Sequence, residues 1–486
     1  MAHSDLHFAP WRKSADGTWL QVIRVPAAAR LHIPAEDGRV VDGKAFPQGG
    51  APWGGWLRVS CMAVEMDGAA VQISLREPVK SFTEVRVERD QTGFRLILSW
   101  RAAACAECPS AYGPPQQMVR EHTIPDEVWQ DYKKWMDRAW PQKPFFSPDW
   151  VKKIPSAAYV ELWSGSGKIT HTFQDLLGLL EAMHRAGVGK NCLLYFWGFH
   201  APFDTAYPDY WPATELGGED GLARVIDTAQ RFGYRLMPHL NYWGCDARLP
   251  IYARFRHEQV RDRNGNPQGW RVEGEPPIEY IRPGCREWRE HMAEVCQRLV
   301  TRFPFDALFF DQLGNFVDDP GCDFETATQL YSEGIQQACP GTVLAGEIFH
   351  ERCRSLPLWQ VWGTPWCGLP VREDLPHATL WRPLFADRIT MVAHMGMPAA
   401  VPVRDSWPAY YWYPEFCGNH QEAVRRANAW HRAIGAVPCV RVNFREFGLD
   451  ETATATLQGL SKRRRLAPPS RPVRTNRHAA NTKGNP

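Results

Sequence analysis

The stretch DALFFDQLGNF, residues 306–316, contains the pattern on which the fold depends. Four apolar residues lead to Asp311, and the run ends near Gly314. In an extended strand alternate side chains share a face, so Ala307, Phe309 and Asp311 point to the same side. The stretch therefore predicts a buried strand that carries a carboxylate to its carboxyl end.

Strands and helices alternate on both sides of this stretch. Further strands are predicted at 157–163, 191–199, 234–244 and 342–349, and amphipathic helices at 172–187, 221–233, 286–303 and 323–339. Candidate later strands lie at 357–363, 379–385, 389–397 and 436–442, with a helix at 422–435. Such alternation predicts a parallel sheet with crossover helices. About eight repeats favour an α/β fold of the (β/α)8 TIM-barrel type.

An open, doubly wound sheet is the alternative to the barrel. Its first turn usually carries a glycine cluster that binds phosphate, and WSGSGKIT at 163–170 has a weak likeness to one. The segment lacks the third glycine of the dinucleotide fingerprint and the spacing of a P-loop. The barrel is therefore the preferred prediction.

The chain divides into four predicted regions. Residues 1–120 consist of short alternating strands separated by turns, which predicts an antiparallel, sandwich-like β domain. The other regions are a connecting helix and linker (121–154, helix at 126–140), the barrel (155–445) and a mostly disordered, basic, Pro-rich tail (446–486).

Composition limits the partners. The chain has 486 residues with a net charge of +2, but residues 462–486 are basic without any acid, so the remainder is net negative. This argues against nucleic acid as a partner of the main body.

No apolar run is long enough for a membrane helix, and the N-terminus lacks the features of a signal peptide. These features predict a cytoplasmic protein unless the N-terminus is truncated. The oligomeric state is left open.

Two carboxylates are the candidate catalytic groups. Glu347 follows Val343 and Ala345 at the end of the next predicted strand, so it lies at the same barrel mouth as Asp311. Adjacent strands are about 4.8 Å apart, so the two carboxyl groups can approach to about 5–6 Å, which is the spacing of retaining glycosidases. An inverting enzyme would need roughly 6.5–9.5 Å. A pair of ion-paired strand ends without catalytic function is the structural alternative.

The order of the motifs resembles a known group of proteins. The segments YPDYWPATELGGEDGLARVIDTAQRFGYRLMPHLNYWG (207–244), IRPGCREWREHM (281–292), DALFFDQLG (306–314) and AGEIFHE (345–351) are similar to uncharacterised bacterial glycosidase-like proteins. These are described as a domain of unknown function with a β-rich N-terminal region. More distantly, the chain resembles endo-α-N-acetylgalactosaminidases and α-amylase-type retaining barrels, over roughly residues 155–420.

The resemblance implies roles for individual residues. It implies Asp311 as the nucleophile and Glu347 as the acid/base of a retaining glycosidase, with galactose-type or N-acetylgalactosamine-type α-linked sugars favoured. The predicted substrate-binding residues are His239, Asn241, Trp163, Trp197, Asp204, Asp209, Trp243 and Gln312. One departure concerns the amylases, which have an Arg two residues before the nucleophile, where this chain has Phe309. The partner is expected to be an oligosaccharide or glycoside, and no cofactor is implied.

Two other functions are weighed against this hypothesis. A metal-dependent hydrolase would be expected to carry His-x-His at the end of the first strand, where this chain has ELW. The segment HERC at 350–353 lacks the second His of a zinc-protease motif. A carbohydrate-binding protein on a degenerate barrel is the non-enzymatic alternative, and the presence of both carboxylates argues against it.

Overall fold

A computed structural model describes most of the chain. It covers residues 5–34, 40–42, 53–57, 59–76, 83–101, 114–271, 276–361, 384–393, 397–398 and 424–459, apart from 426–427, 430 and 433–434. The expected strand at 379–385 lies largely outside these residues, as do residues 362–378 and 460–486.

Two antiparallel sheets form the N-terminal region. The strands are β1 (His7–Phe8), β2 (Arg12–Lys13), β3 (Trp19–Pro26), β4 (Arg30–His32), β5 (Val40–Asp42), β6 (Trp53–Trp56), β7 (Cys61–Met66), β8 (Ala69–Leu75), β9 (Thr83–Arg89), β10 (Gly93–Trp100) and β11 (Gln117–His122). One sheet has the order β1-β3-β10-β9-β6, with β2 also on β3, and the other has the order β11-β8-β7-β4-β5. Alternate apolar residues such as Ile23, Val64 and Leu96 form a buried core. The predicted N-terminal β domain is confirmed.

Eight parallel strands of the described chain form the barrel. They are β12 (Ala157–Glu161), β13 (Leu193–Trp197), β14 (Arg235–Asn241), β18 (Ala307–Asp311), β19 (Val343–Gly346), β20 (Leu358–Val361), β21 (Thr390–Ala393) and β23 (Cys439–Arg441). They pair in this order, and β23 returns to β12. A parallel bridge between Val392 and Val437, and the short strand β22 (Met397–Pro398) beside β23, bring the two ends of the sheet together. The predicted (β/α)8 barrel is confirmed.

Helices lie before, between and after these strands along the chain. They are α1 (Pro125–Ala139), α2 (Phe173–Arg185), α3 (Gly218–Phe232), α4 (Pro250–Phe255), α5 (Arg286–Arg302), α6 (Phe324–Ala338), α7 (Phe444–Phe447) and α8 (Glu451–Leu457). Local sequence explains where α2 begins, because the Thr172 side chain accepts from the Asp175 amide while Asp175 accepts from the Thr172 amide. The described parts of 422–435 are also helical. The predicted bounds of α1, α2, α3, α5 and α6 agree with the structure to within a few residues, whereas α4, α7 and α8 were not predicted.

A small sheet is inserted after β14. Its strands β15 (Gly244–Asp246), β16 (Gly269–Trp270) and β17 (Ile278–Tyr280) have the order β15-β17-β16 and are antiparallel. The insertion stands at the carboxyl end of β14, so it is next to the barrel mouth. It brings Tyr280 to the strand ends.

Strand alternation places Asp311 on the inner face of the barrel. The buried residues inside the barrel include Ala307 and Phe309 of β18, and Val343 and Ala345 of β19. Leu308 and Phe310, by contrast, belong to the core between the strands and the helices. Asp311 continues the inner row to the carboxyl end of the strand, as the sequence predicts.

The chain beyond the last barrel strand differs from the sequence expectation. The range 446–486 is predicted to be a mostly disordered tail, but its first part contains α8. Leu457 of this helix is buried, and its carbonyl accepts from the Ser156 hydroxyl at 2.8 Å, at the amino end of β12. The amphipathic run ETATATL therefore supplies a packing helix that the basic composition of the segment obscures. Among the described residues, no helix is both long and apolar enough to cross a membrane.

Candidate active site

The two candidate catalytic carboxylates lie on adjacent strands in register. Asn241 of β14 pairs with Asp311 of β18, and Phe310 of β18 pairs with Gly346 of β19. The next position along β19 is Glu347, so three polar side chains stand at one level of the mouth. Asp311 is 8% exposed and Glu347 is 3% exposed. Both carboxylates are therefore largely removed from bulk water.

Asn241 holds the Asp311 carboxylate. Its side-chain amide donates to Asp311 Oδ2 at 2.9 Å. Its Oδ1 accepts from the backbone amides of Trp243 and Gly244, at 3.2 and 2.7 Å. These two acceptor contacts fix the orientation of the amide, so the NH2 group must face Asp311. Donation to a carboxylate stabilises its ionised form.

The turn after β18 holds Glu347. The backbone amide of Gln312 donates to Glu347 Oε2 at 2.9 Å, and the amide of Gly314 donates to the Glu347 carbonyl at 3.0 Å. Gln312 has a φ of 60°. A Cβ atom at Gly314 would lie 1.6 Å from the Ile348 carbonyl oxygen, so only glycine permits this approach. The break at Gly314 thus brings the two loops together.

A chain of hydroxyl and imidazole groups lies beside Asp311. The Tyr207 hydroxyl donates to Asp204 Oδ1 at 3.0 Å and lies 3.3 Å from His239 Nε2. The Tyr195 hydroxyl is 2.6 Å from His239 Nδ1. Because Tyr207 has a single hydrogen and gives it to Asp204, His239 donates to Tyr207 from Nε2 and accepts from Tyr195 at Nδ1. The chain of donors therefore ends on the Asp204 carboxylate.

The two tyrosines in this series of hydrogen bonds, Tyr195 and Tyr207, stay protonated at physiological pH. Burial raises the pKa of Tyr195 well above its usual range, and the negative charges of Asp311 and Glu347 raise it further. Burial also raises the pKa of Tyr207, together with the charge of Asp204. Both hydroxyls are therefore available as hydrogen-bond donors.

Aromatic residues of the insertion cover the same area. Trp243 stacks on Tyr280 with ring centroids 4.2 Å apart, and its indole N–H donates to Gln312 Oε1 at 2.8 Å. Trp243 itself is fully buried, so it orients Gln312 and offers no free ring face. Burial raises the pKa of Tyr280, and Asp311, Asp204 and Glu347 add to the effect. Tyr280 therefore lies within electrostatic range of all three carboxylates.

A buried ion pair joins the first and last strands at the mouth. Arg441 of β23 donates to Glu161 Oε2 of β12 at 2.7 Å, and the Trp197 indole N–H donates to Glu161 Oε1 at 3.3 Å. The Arg441 guanidinium lies over the Trp197 ring, 5.3 Å from its centroid. Burial raises the pKa of Glu161, an effect that Arg441 and Trp197 oppose. Trp197 thus forms part of the barrel wall, and only 1% of it is exposed.

Two of the predicted substrate-binding residues have other surroundings. The Trp163 indole N–H donates to the Gly167 carbonyl at 3.0 Å, in the turn after β12. Asp209 is exposed, and its carboxylate lies 4.0 Å from Arg298 on α5. None of the contacts described for these two residues joins them to the two carboxylates. The structure thus brings together His239, Asn241, Asp204, Gln312 and Trp243 around Asp311 and Glu347.

Several mouth residues were missed by sequence reasoning. Tyr195 and Glu161 share the inner face of their strands with Trp197 and Tyr159, so strand alternation could have found them. Arg441 carries the same signal, because it follows the inner-face residue Cys439 on the last strand. Tyr207 and Tyr280 carry no such signal, because a loop and the insertion bring them to the mouth.

Asp204, His239 and Asp311 also form a possible metal-ligand group. One potential ligand atom from each residue lies within 4.8 Å of those of the other two. Both ring nitrogens of His239, however, already face tyrosine hydroxyls. A metal would have to displace one of those contacts, so the arrangement fits a hydrogen-bond network better than a metal centre.

Comparison with known proteins supports the family resemblance and the fold. Residues 126–325 match a family described as a domain of unknown function, DUF6259. No curated protein matches the chain. Among solved structures, the chain is similar to the ligand-free α-N-acetylgalactosaminidase NagBb from Bifidobacterium bifidum. The TM-score is 0.66 at 13% identity, over 91% of this chain and 78% of that one.

Two further solved structures have the same fold. One is the α-galactosidase TtGalA from Thermus thermophilus, in complex with p-nitrophenyl α-D-galactopyranoside, with a TM-score of 0.57 at 14% identity over 93% of this chain and 91% of that one. The other is a cycloalternan-degrading enzyme from Trueperella pyogenes, with a TM-score of 0.55 at 13% identity over 93% and 67%. At these identities the likeness establishes a shared fold, a barrel found in these carbohydrate-active enzymes.

Proposed function

We propose that this protein is a retaining glycoside hydrolase that acts on an α-linked sugar. The proposal rests mainly on two buried carboxylates, Asp311 and Glu347, which lie at the same level on adjacent strands of the barrel. The names of the similar structures, which include an α-N-acetylgalactosaminidase and an α-galactosidase, support galactose-type or N-acetylgalactosamine-type substrates.

The contacts of each carboxylate suit a different role. Asp311 accepts from Asn241, which favours the ionised form that a nucleophile needs. Glu347 accepts from a backbone amide through Oε2, which fixes the carboxyl plane of the group that gives and then takes the proton in the proposed reaction. In the first step Asp311 attacks the anomeric carbon while Glu347 protonates the leaving oxygen. In the second step a water molecule attacks the anomeric carbon while Glu347 takes its proton. The bond to Asp311 breaks, and the sugar is released with its configuration retained.

The hydrogen-bonded group beside Asp311 supports substrate binding. His239 and Tyr207 are already hydrogen-bonded to each other, and Tyr207 holds the Asp204 carboxylate beside Asp311. A carboxylate can accept several hydrogen bonds, so Asp204 is suited to accept from a sugar hydroxyl in a fixed orientation.

The test measures turnover and stereochemistry together. The protein is incubated with a panel of aryl α- and β-glycosides, including galactosides and N-acetylgalactosaminides, and the first-formed sugar is followed by proton NMR. The expected result is cleavage of an α-glycoside with the α-anomer released first. Initial release of the β-anomer would contradict the retaining mechanism. Binding of a sugar without cleavage of any glycoside would instead support the carbohydrate-binding alternative.

A metal-dependent hydrolase is the second candidate, because Asp204, His239 and Asp311 lie close together. Prior treatment with a chelator distinguishes the two. Turnover that is unchanged by the chelator supports the carboxylate mechanism. Loss of turnover that a divalent cation restores would support the metal-dependent reaction.

A further inference from the structure

The segment that follows Glu347 is charged and yet buried. Residues 350–354, with the sequence HERCR, are here called the anchor segment. Glu351 is fully buried, and Arg352 and Arg354 are 4% and 1% exposed. Buried charges are costly unless they are paired and hydrogen-bonded. The partners of this segment therefore determine where it can sit.

Two hydrogen-bond donors to the Glu351 carboxylate come from outside the barrel. Its Oε1 accepts from the backbone amide of Ser60 at 3.1 Å, next to β7 of the N-terminal domain. Its Oε2 accepts from the Tyr132 hydroxyl at 2.9 Å, on the connecting helix α1. Tyr132 is itself fully buried. These two hydrogen bonds of the Glu351 carboxylate therefore form only when the N-terminal domain and α1 are docked on the barrel.

The two arginines attach the segment to the same region. The Arg352 and Arg354 guanidinium groups lie over the Trp140 ring, 3.8 and 4.4 Å from its centroid, just after α1. Arg352 also donates to Glu325 of α6 at 3.1 Å. Burial lowers the pKa of Arg354 to about 10, an effect that the charge of Glu351 opposes. Arg354 thus keeps its charge at neutral pH.

Only two residues separate Glu347 from the anchor segment. One of them, Ile348, has a φ of 58°, and its carbonyl packs closely against Gly314. Glu347 is thus held on one side by the turn after β18 and on the other by the anchor segment. A shift at residue 351 would be passed to residue 347, because little chain lies between them to absorb it.

We propose that the N-terminal domain positions the acid/base of the barrel through the Tyr132–Glu351 contact, so that Tyr132 and Glu351 are positioning residues for Glu347. This inference rests on the proposed glycosidase function for its catalytic consequence. Its structural consequence, that the contact orders residues 347–354, can be measured without any activity.

The kinetic test uses Tyr132→Phe, which removes the hydroxyl and keeps the ring. Tyr234→Phe is the matched control, because Tyr234 is buried and its hydroxyl donates to the Val188 carbonyl at 3.3 Å, away from the mouth. For α-glycosides with poor leaving groups, kcat/KM is expected to fall about tenfold in Tyr132→Phe, because cleavage depends on a well-placed acid. For dinitrophenyl glycosides, which need no protonation, kcat/KM is expected to change by less than about twofold.

The pattern across leaving groups separates positioning from general damage. Equal losses for both kinds of substrate would indicate a merely structural role for Tyr132 and would overturn the proposal. Glu351→Gln is the second variant, and it is expected to show the same leaving-group dependence. Tyr234→Phe is expected to match the wild type with both substrates.

Hydrogen exchange tests the proposal separately from the reaction. In Tyr132→Phe, the amides of residues 347–354 are expected to exchange faster than in the wild type, while those of β13 and β14 stay unchanged. Unchanged exchange at 347–354 would overturn the proposal whatever the activity. If the wild type cleaves no glycoside but exchange at 347–354 rises in the variant, the proposed function fails and the coupling between the domains stands.

Discussion

Asp311 and Glu347 occupy equivalent places on adjacent strands, yet they are held in different ways. Asp311 accepts from Asn241, one strand away and in register with it. Glu347 accepts from the turn after β18 and is followed by the anchor segment, which reaches the N-terminal domain. The position of Asp311 therefore depends on the barrel, whereas that of Glu347 depends in addition on how two domains dock.

This difference teaches that one barrel can combine two kinds of support. A nucleophile must approach a single carbon atom, so short-range contacts within the sheet are sufficient. An acid/base serves different leaving groups and then water, so its placement can be set from a more distant part of the molecule. Substitutions at each carboxylate and at the residues that support it test this contrast.

The largest effect is expected for Asp311→Asn. Removal of the proposed nucleophile should lower kcat by a factor on the order of 10⁴, because the substitution keeps the shape but abolishes the attacking charge. Steady-state kinetics on an activated α-glycoside measures the change. Asp227→Asn, at an exposed position on α3, is the control and should match the wild type. Turnover of Asp311→Asn at the wild-type rate would remove Asp311 from the mechanism.

Glu347→Gln should have a smaller effect that depends on the substrate. For poor leaving groups the loss should be about 10²–10⁴-fold, the usual contribution of a general acid. For dinitrophenyl glycosides kcat/KM should change little. Added azide should accelerate turnover, because azide can attack the glycosyl-enzyme without a general base, whereas water cannot do so efficiently. The azide product, a glycosyl azide of retained configuration, is identified by NMR. Equal losses on all substrates without azide acceleration would assign Glu347 another role.

Asn241→Ala tests the support of the nucleophile. The variant leaves the Asp311 carboxylate without its side-chain donor, and a lost hydrogen bond to a buried charge costs about 1.5–3 kcal/mol, or roughly 10–100-fold in kcat/KM. Because this support lies within the barrel, the loss should be the same for good and poor leaving groups. Asn264→Ala, at an exposed position in the insertion, is the control. A loss confined to poor leaving groups would contradict the contrast drawn above.

Asp323→Asn should leave turnover at neutral pH unchanged and should alter stability instead. Burial raises the pKa of Asp323, at the start of α6, to about 6, despite the nearby charge of Arg352. A carboxyl whose pKa is higher in the folded state stabilises the protein most below its unfolded pKa near 4, and this contribution is lost as pH rises to about 6.

The Asp323 prediction is measured by denaturant unfolding across pH 4 to 7. As the pH rises through this range, the free energy of unfolding of the wild type should fall by up to about 3 kcal/mol relative to that of Asp323→Asn. The asparagine can still accept from the Thr326 amide, as Asp323 does at 3.2 Å, so the helix start is preserved. A stability difference that is independent of pH would show that Asp323 is ionised in both states.

Sequence reasoning predicted the barrel and the two carboxylates because strand alternation acts over few residues. The phase of Ala307, Phe309 and Asp311 is fixed by the pleat of β18, whatever lies elsewhere. Asn241 was found in the same way, and the structure shows that it contacts Asp311. These predictions needed only local periodicity and the rule that parallel strands end at one face.

Contacts between distant segments could not be predicted in this way. The Glu351–Ser60 hydrogen bond joins residues 291 positions apart, and no periodicity in either segment indicates the other. The segment HERC lacks a metal-binding motif, and nothing in its sequence indicates that its charges are buried. The burial of Trp243 and Trp197, two of the predicted substrate-binding residues, is likewise not indicated by the sequence. In the structure their indole N–H groups donate to Gln312 and Glu161.

The pairing of β12 with β23 affects how the chain folds during synthesis. Arg441 and Glu161 are 280 positions apart, and Ser156 and Leu457 are 301 apart. The first barrel strand therefore emerges from the ribosome long before its last partner, and the half-built sheet has an open edge until then. A shortened gene that ends at the predicted boundary of 445 would supply Arg441 but not Leu457. Its product could form the Arg441–Glu161 ion pair at the mouth, but it would lack the Ser156–Leu457 hydrogen bond at the opposite end of the barrel.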